Sequence, residues 1–426
     1  MKPGFSRQDS PTLSAGDATE NLNAPNERTM GRKAVSSETV VVERAEQIEA
    51  LCEEARAAGR FAFDTEFVME DRYEAEVCLV QVATEQSVAI IDPFLDLNLD
   101  PIWNLVADPA VETVVHAGQE DLGMCVQHIG KIPRNVFDTQ IGSGLVGFEY
   151  PMSLQKLVQA LLHVRLHKTK TLTDWRRRPL SPAQIRYGVE DVAYLLAVHT
   201  KLRDRLAKKG RSDWATEEFR HFEEMTLYRR ADEEKLWRIK GAGSLEGRQL
   251  AVLHALMPWR DQLAQQLNRP ARVVLKDFLM VEIAKLGLGT HAEVRDLRGI
   301  NLSDRHVNDL CRVVQAAMAT PPETWPVAKD RDFETPRETV LVDLATALIR
   351  AYCLEHELSY AIVATKKSIR DLIRHRTQGR PADVSEIELL TGWRGHTVGA
   401  MIDELLEGRR TVRVRPIDGE LTVEFS

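Results

Sequence analysis

The sequence predicts an α/β domain, helices packed on a mixed sheet, followed by two mainly α-helical units and a terminal β-hairpin. Three observations carry this reading. Between Thr39 and Val115, short apolar runs of strand length alternate with segments of helical periodicity, as in a sheet layered with helices. From His116 onward the helical period dominates. Near the end, Asp418-Gly419 separates the alternating runs Thr411-Val412-Arg413-Val414-Arg415 and Glu420-Leu421-Thr422-Val423-Glu424-Phe425, which is a hairpin signal.

The chain has 426 residues, and at roughly 100–200 residues per domain this length holds two to four domains. A hydrophobic fraction of 43% and a charged fraction of 28% describe an ordinary globular protein. The net charge of −8 argues against a uniformly basic nucleic-acid coat, although it does not exclude local basic patches. Cys52, Cys78, Cys125, Cys311 and Cys353 are scattered and form no C-x-x-C pair, so neither a zinc site nor a disulfide framework is suggested and a reducing cytosol fits. No apolar run approaches the ~18 residues of a membrane span, and the N-terminus lacks the apolar core of a secretory signal. A cytoplasmic protein with no membrane partner is expected.

Residues 1–36, rich in Ser, Thr, Asn, Gly and Pro without hydrophobic periodicity, read as a disordered tail. A strand is expected at Thr39-Val40-Val41-Val42. Ala45 to Ala58 reads as a helix with Ile48, Leu51, Cys52 and Ala55 on one face. The runs around Asp64, Val77–Ala83 and Ser87–Ile91 predict three antiparallel strands, the last two joined by the polar Thr84-Glu85-Gln86. A further strand is expected at Val111–Val115. Ser181-Pro182-Ala183-Gln184 combines Ser at the N-cap, Pro at N1 and Gln at N3, a capping box that opens a helix expected to run to about Lys208. Past Gly210 the density of Glu, Asp and Arg reads as a solvent-exposed helical connector over 211–242.

The chemistry concentrates in three places. In Phe61-Ala62-Phe63-Asp64-Thr65-Glu66-Phe67, strand alternation puts Asp64 and Glu66 on one face and Phe61, Phe63, Thr65 and Phe67 on the other. Two carboxylates held that close repel unless a proton or a cation lies between them, and a hard divalent ion is the usual solution; a solvated strand end is the alternative. Asp121, in His116-Ala117-Gly118-Gln119-Glu120-Asp121, stands in a first helical turn, where it either complements the helix dipole or serves a metal site. Tyr187 and Asp191 lie four apart on one helix face beside Val192 and Leu195, either as a structural pair or as part of a site.

Taken together, D-x-E on a strand, Asp at a strand-to-helix turn and Y-x-x-x-D on a capped helix resemble the tyrosine-bearing DEDD 3′→5′ exonucleases. The run Lys168-Thr169-Lys170-Thr171-Leu172-Thr173-Asp174-Trp175, with Arg178-Pro179-Leu180, Tyr187 and Asp191, is similar to ribonuclease D. The resemblance covers about 37–210 and implies a ribonuclease H-like nuclease domain. It also implies catalytic roles for Asp64, Glu66, Asp121, Tyr187 and Asp191, the four acids holding two divalent ions, Mg²⁺ or Mn²⁺. In such a scheme Asp64 bridges both ions, Glu66 and Asp191 complete the nucleophile-side ion, Asp121 supports the second, and Tyr187 positions the attacking water. Lys168, Lys170, Arg176, Arg177 and Arg178 can line a phosphate path, or form a solvated face.

Leu250, Leu253, Leu256, Trp259-Arg260, Asn268-Arg269-Pro270 and Leu297-Arg298-Gly299-Ile300 resemble an HRDC domain, placed at 243–322; Pro258 is expected to kink or break its first helix. Residues 335–426, with Ala364-Thr365-Lys366-Lys367-Ser368 and Leu390-Thr391-Gly392-Trp393-Arg394-Gly395, resemble the second, HRDC-like region of ribonuclease D. There Lys366, Lys367, Arg370, Arg374, His375 and Arg376 form a basic cluster that can hold RNA or be a solvated face. The family implies a monomeric exoribonuclease trimming the 3′ ends of tRNA precursors and other small stable RNAs, with release of 5′-monophosphates. Two alternatives stay open on the residues alone: a DNA 3′→5′ exonuclease, since discrimination through the 2′-hydroxyl is not placed by sequence, and a catalytically retired RNA-binding protein.

Overall fold

The structure, a computed structural model, describes residues 38–167, 174–229, 232–327, 334–379, 383–417 and 420–425. The tail expected over 1–36, Lys168 and Lys170, and the Asp418-Gly419 turn lie outside the described residues. A six-stranded sheet comprises β1 (Glu38–Val42), β2 (Arg60–Val68), β3 (Glu76–Ala83), β4 (Ser87–Ile91), β5 (Glu112–Val115) and β6 (Val136–Asp138), in the order β1-β4-β3-β2-β5-β6. As expected, β2, β3 and β4 are antiparallel; β1 joins β4 in parallel, and β5 and β6 extend the other side in parallel. The three-residue β6 escapes periodicity because so short a run cannot display one.

Alternation along β2 sorts the helices. Phe61 and Phe63 are fully buried on one face, with Phe63 edge-on to Trp103 at 6.0 Å. Trp103 belongs to α2 (Asp100–Val106), which packs between α1 (Ala45–Ala58) and α3 (Gln119–Ile129). On the opposite face, with Asp64, lies α6 (Pro182–Ala193), across β2, β3 and β4. Between these come α4 (Thr139–Leu145) and α5 (Leu154–Leu162). The long helix expected after Ser181 is divided: α6 ends at Tyr194, and α7 (Leu195–Lys208) turns over β5 and against α4. The division lets one half follow the antiparallel strands and the other the parallel edge.

Residues 211–242 do not form the expected solvent-exposed connector. In α8 (Ser212–Arg220) and the turn after it, Ala215, Phe219 and Phe222 enter the nuclease core, while Leu236, at the end of α9 (Asp232–Arg238), and Ile239 enter the next one. That second core is built on α10 (Arg248–Leu267), α11 (Asp277–Leu286), α12 (His291–Asp296) and α13 (Asp304–Met318). Of the kink or break expected at Pro258, the break does not occur: α10 runs 20 residues through it. Pro258 and His254, whose carbonyl loses its N–H partner, are both exposed, so water can serve the freed carbonyl. Buried Leu250, Leu253, Leu256, Met257, Leu263 and Ala264 anchor both halves.

The C-terminal unit comprises α14 (Pro336–Glu355), α15 (Lys366–Gln378), α16 (Ala400–Leu406) and the hairpin β7 (Val412–Ile417) with β8 (Glu420–Phe425). Its apolar residues, including Val342, Ile349, Val363, Ile369 and Ile402, join the same core as the nuclease sheet. The third unit in sequence thus packs on the first, while the HRDC-like bundle between them keeps a core of its own.

Candidate active site

Strand β2 outlasts its parallel neighbour, because β5 pairs only with Arg60, Phe61 and Ala62. The backbone beyond therefore needs other partners on that side. Asp121 supplies one: its Oδ1 accepts the Thr65 N–H at 3.1 Å and the Thr65 hydroxyl at 2.5 Å. A side chain on the first turn of α3 thus continues the ladder that β5 leaves unfinished. The turn that aims it is tightly specified. Ala117 has φ +57°, in the left-handed region. A Cβ on Gly118 would fall 2.5 Å from that of Val115. Asp138, at the end of β6, accepts the N–H groups of Ala117 and Gly118 while capping α4 through Gln140 and Ile141. His116 is held between Thr139 Oγ1 and the Met152 carbonyl, each at 2.9 Å, and burial lowers its pKa.

On the other face of β2, α6 is launched by the expected capping box, Ser181 with Gln184. Gly188 lets this helix lie close to the sheet, since a Cβ there would meet Leu79 and Gln81 at 3.1–3.3 Å. Asp191 is thereby brought to the two strand carboxylates: one oxygen each of Asp64, Glu66 and Asp191 lies within 4.8 Å of the others. Asp121 stands beside this cluster rather than in it. The hydroxyl of Tyr187 bonds toward Asp191, and its ring is 5.8 Å from that of Trp175.

Burial and mutual repulsion raise the carboxylate pKa values. Asp64 is pushed well above the usual range by burial, then by Asp121, Asp191 and Glu66. Glu66 rises to about 8 through burial and the Asp191 and Asp121 charges, and Asp191 rises to about 7, mainly through burial. Asp121 is also raised by burial, against the lowering effect of its Thr65 bonds. Tyr187 is raised by burial and by the nearby Asp191, Glu66 and Asp64. Four acids that resist ionisation, with Asp191 Oδ2 buried and unpartnered among the described residues, suit divalent cations, whose charge would offset both the burial and the mutual repulsion.

The basic residues fare differently from the acids. Arg176 is engaged by Asp71 and Glu76 at 2.6–2.9 Å, and Arg178 by Asp92 and the Cys78 and Trp175 carbonyls. Both are held by these acids and carbonyls instead of presenting a cationic face; Arg177 is exposed. In the C-terminal cluster, Arg374 is buried against Glu338 and Arg376 pairs with Asp403. Lys366 and Lys367 are exposed, in surface pairs with Asp343 and Asp371. Thr65 is the residue whose role the sequence reading missed: alternation placed it correctly on the aromatic face, but nothing local showed that a helix from 56 residues downstream would use it.

The chain is similar to known proteins over most of its length. A family model for the 3′-5′ exonuclease domain matches residues 39–207, and one for the HRDC domain matches residues 249–314. Ribonuclease D of Granulibacter bethesdensis is 32% identical over 84% of this chain and 90% of its own length. That of Gluconacetobacter diazotrophicus is 32% identical over 90% of this chain and 96% of its own. The crystal structure of Escherichia coli RNase D, an exoribonuclease involved in structured RNA processing, superposes with a TM-score of 0.76 at 28% identity, covering 87% of this chain and 99% of that one. Among the described residues no helix is long and apolar enough to cross a membrane. With a 3′→5′ exonuclease domain, an HRDC domain and similarity of this order over most of its length, the chain belongs to the ribonuclease D family of 3′→5′ exoribonucleases.

Proposed function

We propose that this chain trims the 3′ ends of tRNA precursors and other small stable RNAs one nucleotide at a time, releasing 5′-monophosphates with the help of two divalent ions, Mg²⁺ or Mn²⁺. The observation that carries the reading is the convergence of Asp64, Glu66 and Asp191 within 4.8 Å, with Asp121 and Tyr187 beside them. Asp64, Glu66 and Asp191 would hold the ion on the nucleophile side, and Asp64 with Asp121, oriented by Thr65, would hold the ion on the leaving-group side. When bound, such ions supply a nucleophile at neutral pH and stabilise the departing 3′-oxyanion. Tyr187, whose hydroxyl bonds toward Asp191, orients the attacking water beside that carboxylate. Arg177, Lys366 and Lys367 are the exposed cations assigned to the phosphate path. The same reading takes 37–210 as the nuclease domain and 243–322 and 335–426 as helical modules, with the helices of 211–242 packed into the two cores they join.

The test is a paired time course on 3′-extended tRNA and single-stranded DNA of matched length, each with Mg²⁺ and with chelator. Ion-dependent shortening of the RNA from its 3′ end, with DNA spared, is the expected result. Shortening of DNA alone would make this a DNA exonuclease, and binding without shortening would make it a retired scaffold. In the same assay Asp64→Ala is expected to abolish cleavage while leaving RNA affinity nearly unchanged and the ion-free melting midpoint no lower than wild type, because it removes an ion ligand and not core packing.

A further inference from the structure

Gln81 is the only polar side chain between Val77 and Ala83, in the middle of a strand buried on both faces. It is fully buried, and both Nε2 and Oε1 lack a partner among the described residues. A buried carboxamide with neither group satisfied is unfavourable where an aliphatic residue would pack freely, so its presence calls for a role. Its location supplies one. In the β2–β3 register Gln81 stands directly opposite Asp64, which puts both side chains on the same face of the sheet. From above, Gly188 of α6 approaches so closely that a Cβ there would lie 3.3 Å from Gln81 Nε2. Asp191 follows Gly188 by three residues, on the same face of α6, and its Oδ2 is also buried without a partner among the described residues. A donor and an acceptor, both unsatisfied, thus occupy one wedge between the catalytic strand and the catalytic helix.

We propose that Gln81 is a positioning residue for the carboxylate cluster: its Nε2 donates to Asp191 Oδ2, directly or through one water, when a divalent ion draws the carboxylates together. That bond holds Asp191 in the rotamer that points its other oxygen at Asp64 and Glu66. Outer hydrogen bonds of this kind orient metal-binding carboxylates, and losing one typically weakens metal affinity about 10–100-fold. The inference rests on reading Asp64, Glu66 and Asp191 as ion ligands.

The test uses the full chain and Ca²⁺ as the probe, titrated calorimetrically without RNA, with the ion-free melting midpoint measured alongside. Gln81→Met and Gln81→Leu, both apolar and of similar volume, are expected to melt at or above the wild-type midpoint, because the unsatisfied amide is gone, yet to bind Ca²⁺ about 10–100-fold more weakly. Unchanged Ca²⁺ affinity in both variants would overturn the proposal. So would a lower ion-free midpoint in both variants accompanying the lost affinity, since Gln81 would then act through packing. Asp64→Asn separates the two levels of the argument. If that variant binds Ca²⁺ like the wild type, the ligand assignment itself fails; if it loses binding while the Gln81 variants keep theirs, only the role of Gln81 fails.

Discussion

Asp121 shows how a single side chain can complete a sheet. Its Oδ1 bonds both the amide and the hydroxyl of Thr65, so Thr65→Val removes one donor and keeps the other. A hydrogen bond to a charged group is worth about 1.5–3 kcal/mol. Thr65→Val is therefore expected to lower kcat by roughly ten- to a hundredfold with KM little changed, measured on a short single-stranded RNA. The raised carboxylates also make stability depend on pH. A group whose folded pKa lies above its unfolded value binds its proton more tightly when folded, so its stabilising contribution is present below the unfolded value and is lost as pH rises through the folded one. For Glu66 and Asp191 that window runs from 4.5 and 3.8 up to about 8 and about 7. The ion-free melting midpoint should accordingly fall between about pH 5 and pH 8, and Mg²⁺ should raise it more at the upper end. A midpoint that rises over this range, or a Mg²⁺ effect independent of pH, would contradict the arrangement.

At the level of elements, the site depends on how closely α6 approaches the sheet, and Gly188 sets that approach. Gly188→Ala gains about 1 kcal/mol of helix propensity, offset by a methyl that Leu79 and Gln81 must yield to at 3.1–3.3 Å. The expected outcome is a melting midpoint near wild type with reduced turnover, since a small outward shift of α6 carries Asp191 and Tyr187 away from β2. Gly188→Val should lose both; full activity in the alanine variant would show that the contact has room to spare. The capping box that starts α6 was legible because it is local, three residues reading one another. The end of α6 at Tyr194 was not, because the apolar period continues through it and only the two different surfaces beneath, β2–β4 and then β5 with α4, require the change of direction.

Across the whole molecule, the order of units in the chain is not their order in space. The C-terminal unit is locked to the nuclease domain by α8: Glu217 accepts the Trp393 N–H, Glu218 pairs with Arg394 and accepts from the Trp393 indole, and Trp214 stacks on Trp393 at 4.6 Å. Gly392, at φ +53°, leaves room for the Glu217 carboxylate, which a Cβ would overlap. Arg394 also donates to the Ile362 and Val363 carbonyls, so Arg394→Ala strands an acid and two carbonyl groups. Breaking one side of a buried pair costs up to about 3–5 kcal/mol. This variant is therefore expected to detach the C-terminal unit, seen as faster protease cleavage near residues 383–393 and a larger radius in small-angle scattering. Wild-type protection would show that the apolar interface alone holds the unit in place.

The sequence by itself determined the strand that carries Asp64 and Glu66, the capped helix that carries Tyr187 and Asp191, the antiparallel trio of strands and the helical character of the chain beyond the sheet. All of these are periodic or local signals, expressed within a few residues. Tertiary structure alone decided that Asp121 would bond Thr65, that Gln81 would be enclosed beneath Gly188, that Arg176 and Arg178 would be spent on Asp71, Glu76 and Asp92, and that the last unit would share the first one's core. Each of these joins residues far apart in the chain. Their pairing is selected by burial and by the need to satisfy every enclosed polar group, a condition set by the folded whole and not by any one segment.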